Sequence, residues 1–174
     1  MFKEVVYRTR QFAADINPSL LSDVAVREIK AQLSEKESRL YFRYSLSDQD
    51  HAYKVYKMLR EAGHAHPHLL TAALLHDIGK SRYTITVWDR VWPVLVKKIF
   101  PSLYHQWGEA EATSWKRPFV IIKKHPDWGA EMATSVGSHP TVISLICRHQ
   151  DKLNQIETEE DQLLSLLQWA DDQN

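Results

Sequence analysis

The chain of 174 residues contains a single cysteine, Cys147, and its 22 basic residues are balanced by 22 acidic ones. One cysteine excludes an intrachain disulfide, which fits a reducing compartment, and we expect a cytoplasmic protein. Because Cys147 lies in the apolar run VISLIC, we expect it to be buried and unreactive. The zero net charge excludes a broad basic surface for long nucleic acids, but not a local site for a small phosphorylated ligand.

No apolar run is long enough to cross a membrane, and the opening residues MFKEVVYRTRQF lack the apolar core of a signal peptide. The longest bulky stretch, VWDRVWPVLVKKIF at 87–100, is interrupted by charges and by Pro93. It is compatible with a surface helix, an interfacial helix or a partner contact. We favour a helix or flap that covers the core.

The sequence lacks alternating apolar and polar segments joined by hairpin turns, so we expect no strands. Helical periodicity, with proline and glycine as boundaries, predicts helices over about 2–15, 19–43 with a break near Ser34, 47–62, 67–77, 84–100 with a kink or break at Pro93, 118–125, 126–137, 140–149 and 158 to almost the C-terminus. Residues 101–108 are predicted to be less regular, and Gly79 is predicted to end the fourth helix.

Two patterns of the capping-box type predict helix starts, one at Ser47 with Asp50 and one at Thr158 with Asp161. The whole pattern predicts an all-α, single-domain helical bundle. In this prediction, N-terminal helices at 1–46 pack on a core formed by residues 47–174.

Six residues that can bind a metal ion lie on the apolar faces of five predicted helices: His51, His76, Asp77, His125, His149 and Asp171. The face containing Asp171 also contains Leu164 and Leu167, whereas the neighbouring Asp172 falls on a more polar face. A polar group directed into an apolar core costs several kcal/mol unless it finds a partner. Each histidine alone is more simply explained as a hydrogen-bonded core residue. A shared metal centre accounts for all six together.

The strongest motif is LLTAALLHDIGK, in which a long apolar run ends in His76, Asp77 and, three residues later, Lys80. Imidazole and carboxylate groups are metal ligands, and a lysine ammonium is suited to bind a phosphate. The motif therefore indicates metal-dependent chemistry on a phosphorylated compound.

Four short segments, in this order, resemble the HD-domain superfamily of metal-dependent phosphohydrolases. HDIGK at 76–80 resembles the HDIG subgroup, and HPDWGAEM at 125–132 resembles the HPxxGAxx element of its binuclear members. RHQD at 148–151 resembles a later RHH-type element, and WAD at 169–171 resembles the closing Ala-Asp. The GYP signature of cyclic-di-GMP phosphodiesterases is absent after His149, which argues against that substrate.

The resemblance implies a role for each matching residue. His51, His76, Asp77 and Asp171 correspond to primary metal ligands, Asp77 bridges two ions, and His125 and His149 hold the second ion. Asp77 and Lys80 are the implied catalytic residues. Lys80 is also the implied phosphate contact, and we add Arg148 as a candidate substrate contact because it neighbours a ligand.

The resemblance predicts hydrolysis of a phosphate ester or anhydride, in a nucleotide or another small phosphorylated compound, by a metal-activated water. The cofactor would be one or two divalent transition-metal ions, and the ligand types suit Fe, Mn, Co, Ni or Zn. An alternative is a metal-bound nucleotide-sensing or interaction module with little turnover, and a third is a di-iron oxygenase. The stretch between Lys80 and His125, which includes the tryptophan-rich segment 84–107, is predicted to form a lid or wall that sets substrate choice, and the oligomeric state is left open.

Overall fold

The structure is a computed structural model that describes residues 21–113 and 115–174, without the side chains of Val87, Trp88 and Arg90. Its helices are α1 (Asp23–Gln32), α2 (Glu35–Tyr41), α3 (Leu46–Glu61), α4 (Pro67–Leu75), α5 (Val87–Ile99), α6 (Pro101–Gly108), α7 (Arg117–Val136), α8 (Pro140–Arg148) and α9 (Glu159–Gln173), with a 3-10 turn at Ile78–Arg82 after α4. The described residues contain no strand, which confirms the predicted all-α class. The predicted helix at 2–15 lies outside these residues.

Two of the predicted helix boundaries are confirmed by their hydrogen bonds. The Ser34 hydroxyl accepts from the Glu37 backbone N–H at 3.3 Å, and the Glu37 carboxylate accepts from the Ser34 N–H at 3.0 Å. The same reciprocal arrangement joins Thr158 and Asp161 at the start of α9. Each box satisfies backbone N–H groups that have no partner within the helix.

The predicted start of α3 at Ser47 is wrong by two residues. The segment SLSDQD contains the same serine–aspartate spacing twice, and the helix uses the first copy: the Ser45 hydroxyl accepts from the Asp48 N–H at 3.2 Å. The earlier start buries Gln49, whose amide donates to the Tyr44 carbonyl at 3.0 Å. Burial and this extra bond favour the first copy over the second.

Proline interrupts fewer helices than predicted. The helices predicted at 118–125 and 126–137 are one helix, α7, which runs through Pro126. A proline inside a helix removes one backbone donor and crowds the carbonyl four residues earlier. Here both halves of α7 have buried residues, and this packing outweighs the cost. The region predicted to be less regular is helix α6, which begins at Pro101, because proline is well suited to the first turn. Helix α5 likewise continues through Pro93.

Helix α4 is the centre of the bundle, since its residues 69–75 are all buried. It contacts α1, α3, α8 and α9, so its end lies inside the protein. The same core includes Ile29 of α1 and Leu40 of α2 as well as Ala170 of α9. The division at 46/47 therefore stays a prediction.

Cys147 is exposed, so the prediction that it is buried is wrong. The VISLIC run is longer than the buried face of α8, which consists of Val142, Leu145 and Ile146. Cys147 is one residue beyond that face, and a helix turns by about 100° per residue.

None of the described helices is long and apolar enough to span a membrane.

Gly79 does not end α4, which stops at Leu75. It instead allows the 3-10 turn to contact the backbone of α7. A Cβ atom at position 79 would lie 2.0 Å from the His125 carbonyl oxygen and 2.7 Å from the Gly129 nitrogen. Gly129 faces Gly79 on α7, where an added Cβ would lie 3.3 Å from the Gly79 nitrogen. This approach of two backbones brings the end of α4 against His125.

We predict that Gly79→Ala lowers the free energy of unfolding by more than about 3 kcal/mol, because the methyl group meets backbone atoms that cannot rotate away. The control is Gly63→Ala. Gly63 has a positive φ of 86° and no neighbouring atom within 4 Å of an added Cβ, so only strain of about 1–2 kcal/mol is expected. Denaturant unfolding of both variants checks this, and equal losses would contradict it.

Candidate metal centre

The six predicted ligands come together in the interior, delivered by five different parts of the bundle. His51 lies in α3, His76 and Asp77 directly follow α4, His125 lies in the middle of α7, His149 directly follows α8, and Asp171 lies in the last turn of α9. The side chains of His76 and His125 are fully buried, and that of His51 is 11% exposed. The helical faces expected from periodicity therefore do point inward.

Asp77 is the central residue of this cluster, and its two carboxylate oxygens face different histidines. Oδ2 lies 3.5 Å from His76 Nε2 and 3.9 Å from His51 Nε2. Oδ1 lies 3.0 Å from His125 Nε2 and 3.6 Å from His149 Nε2. The described residues thus contain two groups that could hold a metal ion, one on each side of the same carboxylate.

Asp171 adds a second carboxylate to one of these groups. Its Oδ1 lies 3.0 Å from His51 Nε2 and 3.6 Å from His76 Nε2. The adjacent Asp172 is exposed, as its helical face predicts. The group around His76 therefore contains two imidazoles and two carboxylates.

The backbone fixes the orientation of three of the histidine rings. The Nδ1 atoms of His76, His125 and His149 lie 2.9, 3.1 and 2.7 Å from the carbonyl oxygens of Ala73, Ile121 and Ile146. A carbonyl can only accept, so each Nδ1 must donate, and in the neutral ring Nε2 then has a free lone pair. His76 Nε2 is buried and has no hydrogen-bond partner among the described residues. Three lone pairs directed at two carboxylates fit a divalent cation.

Electrostatics keep the two carboxylates ionised. Burial alone raises the pKa of Asp77, but the Lys80 ammonium and His76 outweigh it and hold the pKa well below its usual value. Burial opposes ionisation of Asp171 as well, and His76 with His51 lowers its pKa well below normal. The cluster therefore contains two buried carboxylates whose charge has to be compensated by cations.

Two of the histidines respond to this environment in opposite ways. Burial lowers the pKa of His125 to about 4 and outweighs the opposing effect of the nearby Asp77 carboxylate, so its imidazole is neutral at pH 7. Burial also acts to lower the pKa of His76, but Asp77 and Asp171 raise it to about 9. In the absence of an ion, His76 is therefore protonated at pH 7 and compensates part of the negative charge.

Lys80 contacts the same cluster, since its ammonium pairs with Asp77 Oδ2 from within the 3-10 turn. Lys80, for which we predicted a phosphate contact, lines an open cavity together with Asp77.

Arg148 has other partners: its guanidinium donates to Glu160 at 2.8 Å and to Asp161 at 2.7 Å, which joins α8 to the first turn of α9. The role of Arg148 as a substrate contact stays a prediction.

Three nearby residues were missed by sequence reasoning. Tyr44 is buried, and its pKa is raised well above its usual value by burial and by the charge of Asp77. Gln168 donates to the carbonyls of His149 at 3.0 Å and Asp151 at 2.8 Å, and so holds the chain after α8 in place. Gln150 Nε2 lies 3.4 Å from the His125 ring. Tyr44 precedes its helix, so periodicity carried no signal for it, whereas Gln168 shares its α9 face with Asp172.

A cavity of about 480 Å³ opens over the metal cluster. Its floor includes His51, Asp77 and Lys80, and one side is formed by α5 and α6. The segment 84–107, for which we predicted a lid or wall, therefore contributes to the wall of this cavity.

The family model described as HD domain matches residues 49–172, which is most of the chain. The chain belongs to the HD domain family. The match begins two residues before His51 and ends one residue after Asp171, so it contains all six clustered residues. Comparisons with curated proteins and with solved structures returned no match. The HD domain assignment agrees with the helical bundle and with a capacity to hold divalent metal ions.

We predict that binding of a divalent ion releases a proton at pH 7, because His76 must lose its proton to become a ligand. The pKa of His76 is raised to about 9 in the ion-free protein, so apparent affinity should rise as pH increases from 6 towards 9. Calorimetric titration with Mn²⁺ in two buffers of different ionisation enthalpy measures the proton count. An affinity independent of pH over this range would contradict the prediction.

Proposed function

We propose that this HD domain protein hydrolyses a phosphate ester or anhydride in a nucleotide or another small phosphorylated compound. In this proposal two divalent transition-metal ions are held by His51, His76, Asp77, His125, His149 and Asp171. The HD domain family itself suggests metal-dependent phosphohydrolase activity. The cavity above the cluster is open and large enough for a small substrate.

The observation that carries the proposal is the position of the Asp77 carboxylate between two groups of imidazoles. Oδ2 faces His51 and His76, and Oδ1 faces His125 and His149. One carboxylate with each oxygen facing a separate ligand group supports a bridging role. The histidine and carboxylate ligands, without thiolates, suit Fe, Mn, Co, Ni or Zn.

When bound, such ions supply a water of lowered pKa and neutralise charge on the phosphate. The residues of the chain orient the ligands and contact the phosphate. The hydrogen bonds to Ala73, Ile121 and Ile146 hold three rings in place, so the ligands need no rearrangement as charge develops. Lys80, on the cavity floor, is placed to donate to a phosphate oxygen or to the leaving oxygen.

We predict that His76→Ala and Asp171→Ala each lose bound metal and lower phosphatase activity by more than about 100-fold, because each removes a proposed ligand. Metal content is measured by elemental analysis, and activity with mononucleotides, dinucleoside polyphosphates and cyclic dinucleotides in the presence of Mn²⁺ or Fe²⁺.

The matched control is Asp172→Ala, which removes a carboxylate of the same helix that is exposed and lies outside the cluster. It should keep the metal, so it separates loss of a proposed ligand from loss of any carboxylate in this turn of α9. Full activity in His76→Ala would refute the proposed function. If the native protein retains metal but hydrolyses none of these compounds, the interaction module becomes the better description.

We predict that Lys80→Ala keeps the metal but lowers kcat by roughly 100- to 1,000-fold, the range for removal of one donor to a developing charge. The control is Arg82→Ala, since Arg82 is in the same turn, but its guanidinium pairs with Glu131 at 3.2 Å and is about half exposed. Unchanged kcat in Lys80→Ala would exclude a catalytic role for this lysine.

A further inference from the structure

We propose that α5 and α6 form a substrate-selecting wall, which holds the organic part of a phosphate monoester, and that this part is flat and uncharged, as in a nucleoside. The inference rests on the proposed function, because it places the phosphate of the substrate at the metal cluster. It adds which compounds are accepted and which residues choose them.

The wall is mainly apolar. Pro93 is buried and Val94 half-buried on α5, and both line the cavity. Tyr104 of α6 lines it as well, and Pro118 and Ile122 of α7 complete this side. An aromatic ring beside aliphatic side chains is a suitable contact surface for a planar, uncharged group, because burial of both faces removes apolar area from water.

Negative charge lies on another part of the cavity, formed by α9 and the chain after α8. Asp151 and Asp172 line this part and are exposed, and the Arg148 guanidinium lies 3.9 Å from Asp151. Additional phosphates on a substrate would meet these carboxylates at close range, and like charges disfavour binding. The arrangement therefore favours a monophosphate over the corresponding di- and triphosphates.

Among the described side chains of the wall, two that line the cavity are charged, Asp89 and Lys97. Asp89 accepts from the Thr86 N–H at 2.8 Å and lies 3.6 Å from the Arg117 guanidinium. The Lys97 ammonium lies 5.6 Å from the centre of the Tyr104 ring, a distance typical of a cation–π contact. The surface left for the organic part of the substrate is therefore apolar, with one cation beside its aromatic ring.

The size of the cavity also favours a substrate with one nucleoside. Its volume of about 480 Å³ is in the lower half of the roughly 300–1,000 Å³ range of small-molecule sites. One nucleoside with its phosphate suits this space, whereas two linked nucleosides need about twice as much. Cyclic dinucleotides and dinucleoside polyphosphates are therefore disfavoured on size as well as on charge.

The test compares Val94→Asp with Leu95→Asp in the metal-loaded full-length protein. The two residues are adjacent on α5, but Leu95 is 46% exposed and does not line the cavity. We expect Val94→Asp to lower kcat/KM for a nucleoside 5′-monophosphate by at least about 10-fold, through a desolvated carboxylate against the organic group. The rate with ethyl phosphate, which has no large organic part, should change less than about threefold, and Leu95→Asp should change neither rate.

Binding of the nucleoside 5′-monophosphate is measured in parallel by calorimetry. If the native protein turns over neither ester but binds the nucleotide, and only Val94→Asp weakens this binding, then the proposed hydrolysis is wrong. The proposed role of the wall in binding is supported in that case. The proposed role of the wall would be contradicted by equal effects of Val94→Asp on both esters, by an equal loss in Leu95→Asp, or by equal rates with mono- and triphosphate. Should Val94→Asp not fold, Val94→Ser replaces it, with a smaller loss of the same selectivity expected.

Discussion

The burial of the Asp77 carboxylate among four imidazoles is the interaction on which the rest of this structure depends. A carboxylate removed from water is strongly unfavourable unless cations or hydrogen-bond donors compensate it. Here the Lys80 ammonium and a protonated His76 provide that compensation in the ion-free protein. The same groups must release or exchange their contacts when a metal ion enters. The site is therefore prepared for a metal ion by two buried carboxylates, because the ion can replace the compensating proton of His76.

The fold brings this carboxylate inside by simple means. Helix α4 is buried from Leu69 to Leu75, so the bundle surrounds it, and His76 and Asp77, which follow it directly, are buried as well. The 3-10 turn then contacts α7 through Gly79 and Gly129, which brings Asp77 to His125. Backbone carbonyls one turn earlier in each helix orient the histidine rings. Apolar packing thus places the polar site, and the local hydrogen bonds refine it.

The parts that the sequence predicted are those with a periodic or a motif signal. The inward faces of His51, His125 and Asp171 follow from helical spacing, and the start of α9 follows from the capping box of Thr158 and Asp161. The remaining features depend on contacts that no local pattern contains. The choice between Ser45 and Ser47 depends on burial of Gln49, and the exposure of Cys147 depends on how wide the buried face of α8 is. Likewise the wall position of Val94 depends on how α5 packs beside the cluster.

The six clustered side chains come from five segments that are spread over more than a hundred residues, from His51 to Asp171. They meet only after the bundle has formed. An unfolded chain offers no comparable site, so a bound ion stabilises the native state selectively, by about 4 kcal/mol when the free ion exceeds its dissociation constant 1,000-fold. Folding and metal supply are thereby linked thermodynamically. In a metal-poor cell the first consequence would be a shorter lifetime of the protein against unfolding and proteolysis, in addition to slower catalysis.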